Sequence, residues 1–229
     1  MKQQKIFRFT IYILGFVVLA LGIISNTKSG LGVTPIISIP YAISLIINSN
    51  FGNASMIMYT VLAIVEYIVK GRKFKLYDLL QIPLSFFLTR LFNLFGSFLP
   101  DAHTVSMRIF CLVVGIVCTG IGAAMSMNAR LVPNPGDGII QAISDHSRKN
   151  PGLVKNIFDI GCVTLTVLIG VLSTGHIVGV NIGTLCAMIG VGRVIAIYDH
   201  FLLAKTDRLS GITDDDEDDM SDEVGEMAE

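Results

Sequence analysis

Long apolar runs alternate along the chain with short stretches rich in polar residues, glycine and proline. Six runs are long enough to cross a bilayer, since a spanning helix needs roughly 20 mostly apolar residues; they lie at about 6–25, 51–69, 77–99, 107–127, 153–173 and 181–203. The first run follows Lys2 and Lys5 as a signal peptide would, but no small-residue cleavage site follows it. We therefore predict an all-α membrane protein with six transmembrane helices.

Composition supports this class. Of the 229 residues, 52% are hydrophobic and 15% are charged, whereas soluble domains carry about 25% charged residues. The four cysteines lie within apolar runs and show no C-x-x-C spacing, which favours small packed side chains over metal ligands or disulfides. These features exclude a soluble enzyme, a secreted disulfide scaffold and a nucleic-acid binder.

The basic residues orient the spans, because cytoplasmic loops are enriched in lysine and arginine. With the N-terminus inside, the outer side keeps only Lys28 and Arg108. The inner side then collects thirteen bases: Lys2, Lys5, Arg8, Lys70, Arg72, Lys73, Lys75, Arg130, Arg148, Lys149, Lys155, Lys205 and Arg208. We expect both termini to be cytoplasmic. The segment 206–229, with ten acids after Arg208, is predicted to be a disordered cytoplasmic tail.

Two segments between spans are too short or too broken to cross. Residues 26–50 begin and end outside, and residues 128–150 begin and end inside, if the orientation is right. Each contains about a dozen helix-compatible residues after a turn signal. Non-helical backbone is tolerated at membrane depth only where protein or water satisfies it. We predict re-entrant half-helices at about 34–47 and 134–147.

The chain also contains an internal repeat. A shift of 100 residues aligns 8–57 with 108–157 without a gap and with thirteen identities, among them Gly15/Gly115, Gly22/Gly122 and Pro35/Pro135. Each half holds three spans, an odd number, so the second copy is inverted relative to the first. We predict a first repeat at 1–100 and a second at 101–205. Inverted repeats are typical of secondary transporters, with the site at the midplane; a duplicated bundle with no such site is the alternative.

The half-helices begin at two motifs, Ser-Gly-Leu-Gly-Val-Thr-Pro at 29–35 and Asn-Pro-Gly-Asp-Gly at 134–138. Thr34 and Asn134 are suitable N-caps with proline at N1, and Asp137 can return a bond to the cap. A helix N-terminus carries about half a positive charge and favours an anion. We predict that substrate binds where the two starts meet, at Gly30, Gly32, Thr34, Pro35, Asn134, Pro135, Gly136, Asp137 and Gly138. Plain caps on short packing helices are the alternative.

Charged residues within spans are the next candidates, because they are costly in hydrocarbon and are usually functional. Arg90 and Arg193 lie near the middle of spans three and six, and the repeat relates them approximately. We expect both to face the repeat axis and to bind substrate; structural bracing is the alternative. Asp159, the acid of comparable depth, is predicted to be the counter-ion of one arginine or a proton-coupling group. Glu66 is expected to pair with Lys70 four residues away.

The two motifs and the chain length resemble the YczE/YyaS/YitT group of bacterial integral membrane proteins, and the YczE branch in particular. The resemblance covers about residues 1–205. It implies a multi-pass protein of the bacterial inner membrane, and it implies no substrate or mechanism.

Together these features predict a small-solute transporter or channel for an anionic or zwitterionic substrate. We expect no enzymatic activity, since no nucleophile, paired-acid or metal-binding set recurs at span depth, and no cofactor or metal. The expected partners are a small molecule or ion, the lipid bilayer and, as a candidate, a second copy of the chain, but no nucleic acid. The alternative function is a membrane scaffold or assembly factor that acts through partner proteins.

Overall fold

The computed structural model describes residues 2–74, 76–204, 206 and 208, which form helices joined by loops and no strands. Most of the predicted acidic tail, residues 209–229, lies outside them. Eight α-helices follow one another along this part of the chain: α1 Lys2–Ser29, α2 Pro35–Ile46, α3 Phe51–Lys70, α4 Gln81–Phe98, α5 Val105–Asn128, α6 Pro135–Ser147, α7 Pro151–Thr174 and α8 Ile182–Tyr198. Short 3₁₀ turns at Gly71–Lys73 and Leu76–Leu80 precede α4, and a π-helical turn at Asp199–Leu203 follows α8.

Six of the helical segments are long and apolar enough to cross a membrane, which confirms the number of spans predicted from hydropathy. They are Gln4–Ser29, Phe51–Lys70, Tyr77–Phe98, Val105–Asn128, Pro151–Thr174 and Ile182–Leu203. Helices α2 and α6, of 12 and 13 residues, are shorter than the roughly 20 residues that a span requires. Both begin at the proline that the sequence places at N1 and end within a residue or two of the predicted position.

Helices α1 and α5 form the closest helix pair, and glycines allow it. A Cβ atom added to Gly122 would lie 2.7 Å from the carbonyl oxygen of Gly15, and one added to Gly22 would meet the backbone of Cys118 at 2.8 Å. A Cβ atom added to Gly115 would lie 2.9 Å from the backbone nitrogen of Asn26. Small residues at a helix interface let two backbones approach closely. The two helices run antiparallel and form the centre of the molecule.

Each short helix packs on the second span of the opposite half. Helix α2 lies along α7, where the hydroxyls of Ser38 and Thr166 hydrogen-bond at 2.7 Å. Helix α6 lies along α3, where a Cβ at Gly138 would meet the Glu66 carboxylate at 2.5 Å. The absence of a side chain at Gly138 therefore makes room for a buried acid.

Helices α4 and α8 pack differently. Helix α4 packs against α1 and α3, whereas α8 packs mainly against α5. The start of α8 is fixed to the loop before α2, because the amide of Gly183 donates to the carbonyl oxygen of Leu31 at 2.8 Å. Gly32, with φ of 110°, lies against the first turn of α8; both the positive φ and the close contact favour glycine there. This arrangement holds the start of α2 beside α8.

Candidate functional site

A cavity of about 90 Å³ lies at the centre of the molecule, between the N-terminal ends of α2 and α6. Most of the residues that line it form pairs that are 100 apart in number: Leu19/Thr119, Ile23/Ala123, Thr34/Asn134, Ile36/Gly136, Ile37/Asp137 and Tyr59/Asp159. The remaining lining residues are Pro35, Lys155 and, from α8, Ala187, Met188, Val191 and Ile195. The two helix starts thus meet at one cavity, as the sequence motifs predict.

The two helix starts are capped differently. The Asn134 side-chain oxygen accepts from the amides of Gly136, at 2.8 Å, and Asp137, at 3.3 Å. The Asn134 side-chain amide in turn donates to the carboxylate of Asp137. The amides of the first turn of α6 are therefore hydrogen-bonded by the N-cap residue Asn134. The Asp137 carboxylate accepts from the side chain of Asn134 and not from its backbone N–H, as it would in a capping box.

At the start of α2 the prediction of a capping side chain is wrong. Thr34 occupies the N-cap position, but its side chain makes no capping hydrogen bond. The threonine hydroxyl sits on Cβ, one bond closer to the backbone than the amide oxygen of asparagine at the equivalent position. Pro35 has no N–H, so Ile36 and Ile37 carry the first amides of this helix, and both residues line the cavity. No side chain of Thr34 caps this helix start, which lies beside the cavity.

Acidic and basic groups reach the cavity only from the second half of the chain. Asp159, whose side chain is 1% exposed, receives a hydrogen bond on Oδ2 from Lys155 Nζ at 2.9 Å. Its other oxygen, Oδ1, has no hydrogen-bond partner among the described residues. Asp137 completes the charged set. Tyr59, which aligns with Asp159 under the 100-residue shift, is also buried.

A second cavity, of about 630 Å³, adjoins the first. Asp137 and Lys155 line both cavities, so these two side chains stand between them. The second cavity is bounded by the end of α5, by α6 and by the start of α7, and several of its lining residues are exposed: Gln141, Asp145, Pro151 and Gly152. The larger cavity therefore lies beside α6 and reaches exposed residues, and it shares two lining side chains with the central cavity.

The two arginines predicted to flank the site do not line it, which corrects their expected placement. Arg193 is exposed on α8, two residues from both Val191 and Ile195, which face the cavity. Two residues correspond to about 200° of rotation around a helix, so the arginine lies on the opposite side.

Arg90 is exposed as well. Its guanidinium donates to Asn53 Oδ1 at 2.6 Å and lies 5.0 Å from the centre of the Phe86 ring. Neither arginine is therefore the partner of Asp159, which pairs instead with Lys155, one turn earlier on its own helix. Membrane hydropathy shows how deep a residue lies but not which way its helix is rotated.

Other predicted site residues lie next to the cavity without lining it. Gly30 is exposed, and Gly32 packs against the start of α8. Pro135 is buried at the first position of α6, and Gly138 contacts Glu66. Their positions fit a role in shaping the two helix starts.

Sequence reasoning missed Tyr59 and Lys155 as lining residues. The signal for Tyr59 was its alignment with Asp159 under the 100-residue shift. The signal for Lys155 was its i,i+4 spacing from Asp159, the same spacing that predicted the pair of Glu66 and Lys70. That second pair is present at 2.7 Å, and Lys70 also contacts Asp78 at 3.2 Å.

Comparison with known proteins agrees with a membrane protein. Residues 6–200 match the model of DUF6198, a family of unknown function, and the chain belongs to this family. It is similar to the uncharacterized membrane protein YczE of Bacillus subtilis (strain 168), with 25% identity over 197 residues that cover 85% of this chain and 86% of the relative. No solved structure matches the chain. The family match, the relative and the six apolar helices together identify a multi-pass membrane protein and confirm the resemblance seen in the motifs.

Proposed function

We propose that this member of the DUF6198 family is a small-solute transporter or channel whose substrate binds in the central cavity. The observation that carries the proposal is a cavity between two helix starts that is lined by the charged side chains of Asp137, Lys155 and Asp159, two of which, Asp137 and Lys155, also line a second cavity with exposed residues. A protein that served only as a membrane scaffold would gain nothing from buried charges around such a cavity, since buried charges are costly.

The proposal includes two inverted repeats related by an axis through the cavity. Six pairs of lining residues differ by 100 in number, as expected of a site on that axis. Packing contacts support it too: Gly22 meets Thr119 while Gly122 meets Leu19, and Gly115 meets Asn26 while Gly15 meets Ser126. Each contact is the counterpart of the other under the 100-residue shift. Sites at the interface of inverted repeats are a recurring plan of transporters.

The proposal also includes the topology. With both termini cytoplasmic in a bacterial inner membrane, α6 enters from the inside and α2 from the outside as re-entrant helices. The 630 Å³ cavity is then a vestibule on the cytoplasmic side, since Arg130 and Lys155, which line it, belong to the predicted inner set of bases. Substrate would reach the central cavity from the cytoplasm in this conformation.

Thiol labelling tests the proposal. In a background with Cys111, Cys118, Cys162 and Cys186 replaced, single cysteines are introduced by Gln141→Cys in the vestibule and Thr34→Cys in the central cavity. A membrane-impermeant thiol reagent applied from the cytoplasmic side should label Gln141→Cys quickly and Thr34→Cys more slowly. Ile24→Cys, at a buried position that lines neither cavity, is the matched control and should stay unlabelled.

The outcome separates the two candidate functions. Labelling at position 34 means that water and small solutes reach the centre. A cysteine at position 34 that reacts from neither side would mean a dry core, and the scaffold or assembly factor would then be the better function. Labelling of Gln141→Cys only from the outside would overturn the topology.

A further inference from the structure

The groups around the central cavity differ in charge. The first turn of α2 has no side-chain cap from Thr34, and Ile36 and Ile37 of this turn line the cavity. A helix N-terminus carries about half a positive charge and presents N–H groups, which favours an anionic group. The start of α6 is less available, because Asn134 and the Asp137 carboxylate already occupy it.

A buried carboxylate that also lines the cavity is only partly satisfied. Asp159 is 1% exposed, and Lys155 engages Oδ2, while Oδ1 has no partner among the described residues. Leaving a buried polar atom without a hydrogen bond is costly, and more so when the group is charged. A ligand that donates a hydrogen bond there, above all a cationic one, would remove this cost.

The charge balance of the cavity disfavours a simple ion of either sign. Asp137, Lys155 and Asp159 sum to a formal charge of −1, and the two helix starts contribute about half a positive charge each. A carboxylate alone would be attracted to α2 but repelled by two acids. An amine alone would satisfy Asp159 but would meet the positive end of α2.

We propose that the cavity binds a small zwitterion that carries a carboxylate and an ammonium group. Its carboxylate accepts from the first turn of α2, and its ammonium group donates to Asp159 Oδ1. A ligand of this class leaves the net charge of the site unchanged. The cavity volume of about 90 Å³ favours a small ligand of this class. This inference rests on the proposed transport function, since it names the substrate class of the same cavity.

Three probes that differ by one charged group test the inference. L-alanine carries both groups, propionate lacks the ammonium group, and ethylamine lacks the carboxylate. Calorimetric titration of the purified full chain should show L-alanine binding about tenfold tighter, or more, than either partial probe, a difference of about 1.4 kcal/mol. Equal affinity for propionate and L-alanine, or no binding of L-alanine, would overturn the inference.

Variants locate the ammonium group. Asp159→Asn should lower the affinity for L-alanine to near that of propionate, and Asp159→Glu should restore a preference for L-alanine. Asp101→Asn makes the same change at an exposed acid that pairs with Lys28 and does not line the cavity; it is the matched control, and the preference should persist. Unchanged affinity for L-alanine in a folded Asp159→Asn variant would contradict the assignment. Since labelling of Thr34→Cys judges the transport proposal separately, failure of the zwitterion site leaves that proposal standing.

Discussion

The two halves of the chain contribute equivalent positions to the cavity but different chemistry. From the first half come Thr34, Ile36, Ile37 and Tyr59, all neutral. The second half contributes Asn134, Asp137 and Asp159, which are the counterparts of Thr34, Ile37 and Tyr59 under the 100-residue shift. It also contributes Lys155. The backbone plan is shared, whereas the acids and the base belong to one side. A cavity of this kind can distinguish the two ends of a ligand, which a strictly symmetric one could not.

The last spans of the two halves differ as well. Helix α8 lines the cavity with four residues, whereas α4 packs on α1 and α3 and lines none of it. The cavity is thus bounded by apolar side chains of α8 on one side only. The last spans of the two halves therefore pack differently around the cavity.

The largest effect is expected where the halves are most alike, at the contact of α1 and α5. Gly22→Leu and Gly122→Leu should each destabilise the protein by about 1–3 kcal/mol or more, because the new side chain overlaps backbone atoms of the facing helix. Thermal melting in detergent measures the loss. Gly161→Leu, on α7 with open space around it, is the control and should melt like the wild type. A marked loss at only one of positions 22 and 122 would show that the halves do not pack equivalently.

A smaller and unequal effect is expected at the two helix starts. Asn134→Ala removes hydrogen bonds to two amides and to Asp137, and should cost about 1 kcal/mol of stability. Thr34→Ala removes no capping bond and should melt close to the wild type. The pair is measured by thermal unfolding under identical conditions. Equal losses would mean that Thr34 caps α2 in the membrane and that this helix start is not open to ligand.

The smallest effect is expected at the two arginines. Arg193→Leu should leave stability within about 0.5 kcal/mol of the wild type, as exposed substitutions usually do. Arg90→Leu should cost about 0.5 kcal/mol, because it removes only an exposed bond to Asn53 and an exposed contact with Phe86. Neither should change L-alanine affinity in the titration. If Arg193→Leu no longer bound L-alanine, the prediction from the sequence that Arg193 binds substrate would be supported.

The sequence by itself determined the features that depend on local chemistry. Apolar run length located the six spans, and proline at N1 located the starts of α2 and α6 at Pro35 and Pro135. The 100-residue shift brought Thr34 and Asn134 into correspondence, and both line one cavity. These properties are encoded by residues close together in the chain or by the repeat itself, so no knowledge of packing was needed.

Only the tertiary structure decided which face of each span turns inward. Arg193 and Val191 lie at nearly the same depth, yet one is exposed and the other lines the cavity. Rotation and tilt of a span are set by packing against its neighbours and not by its hydropathy. The charged side chains of the cavity are those of Asp137, Lys155 and Asp159 and not the two arginines. Packing decides this as well, since α7 turns the face that carries Asp159 and Thr166 towards α2.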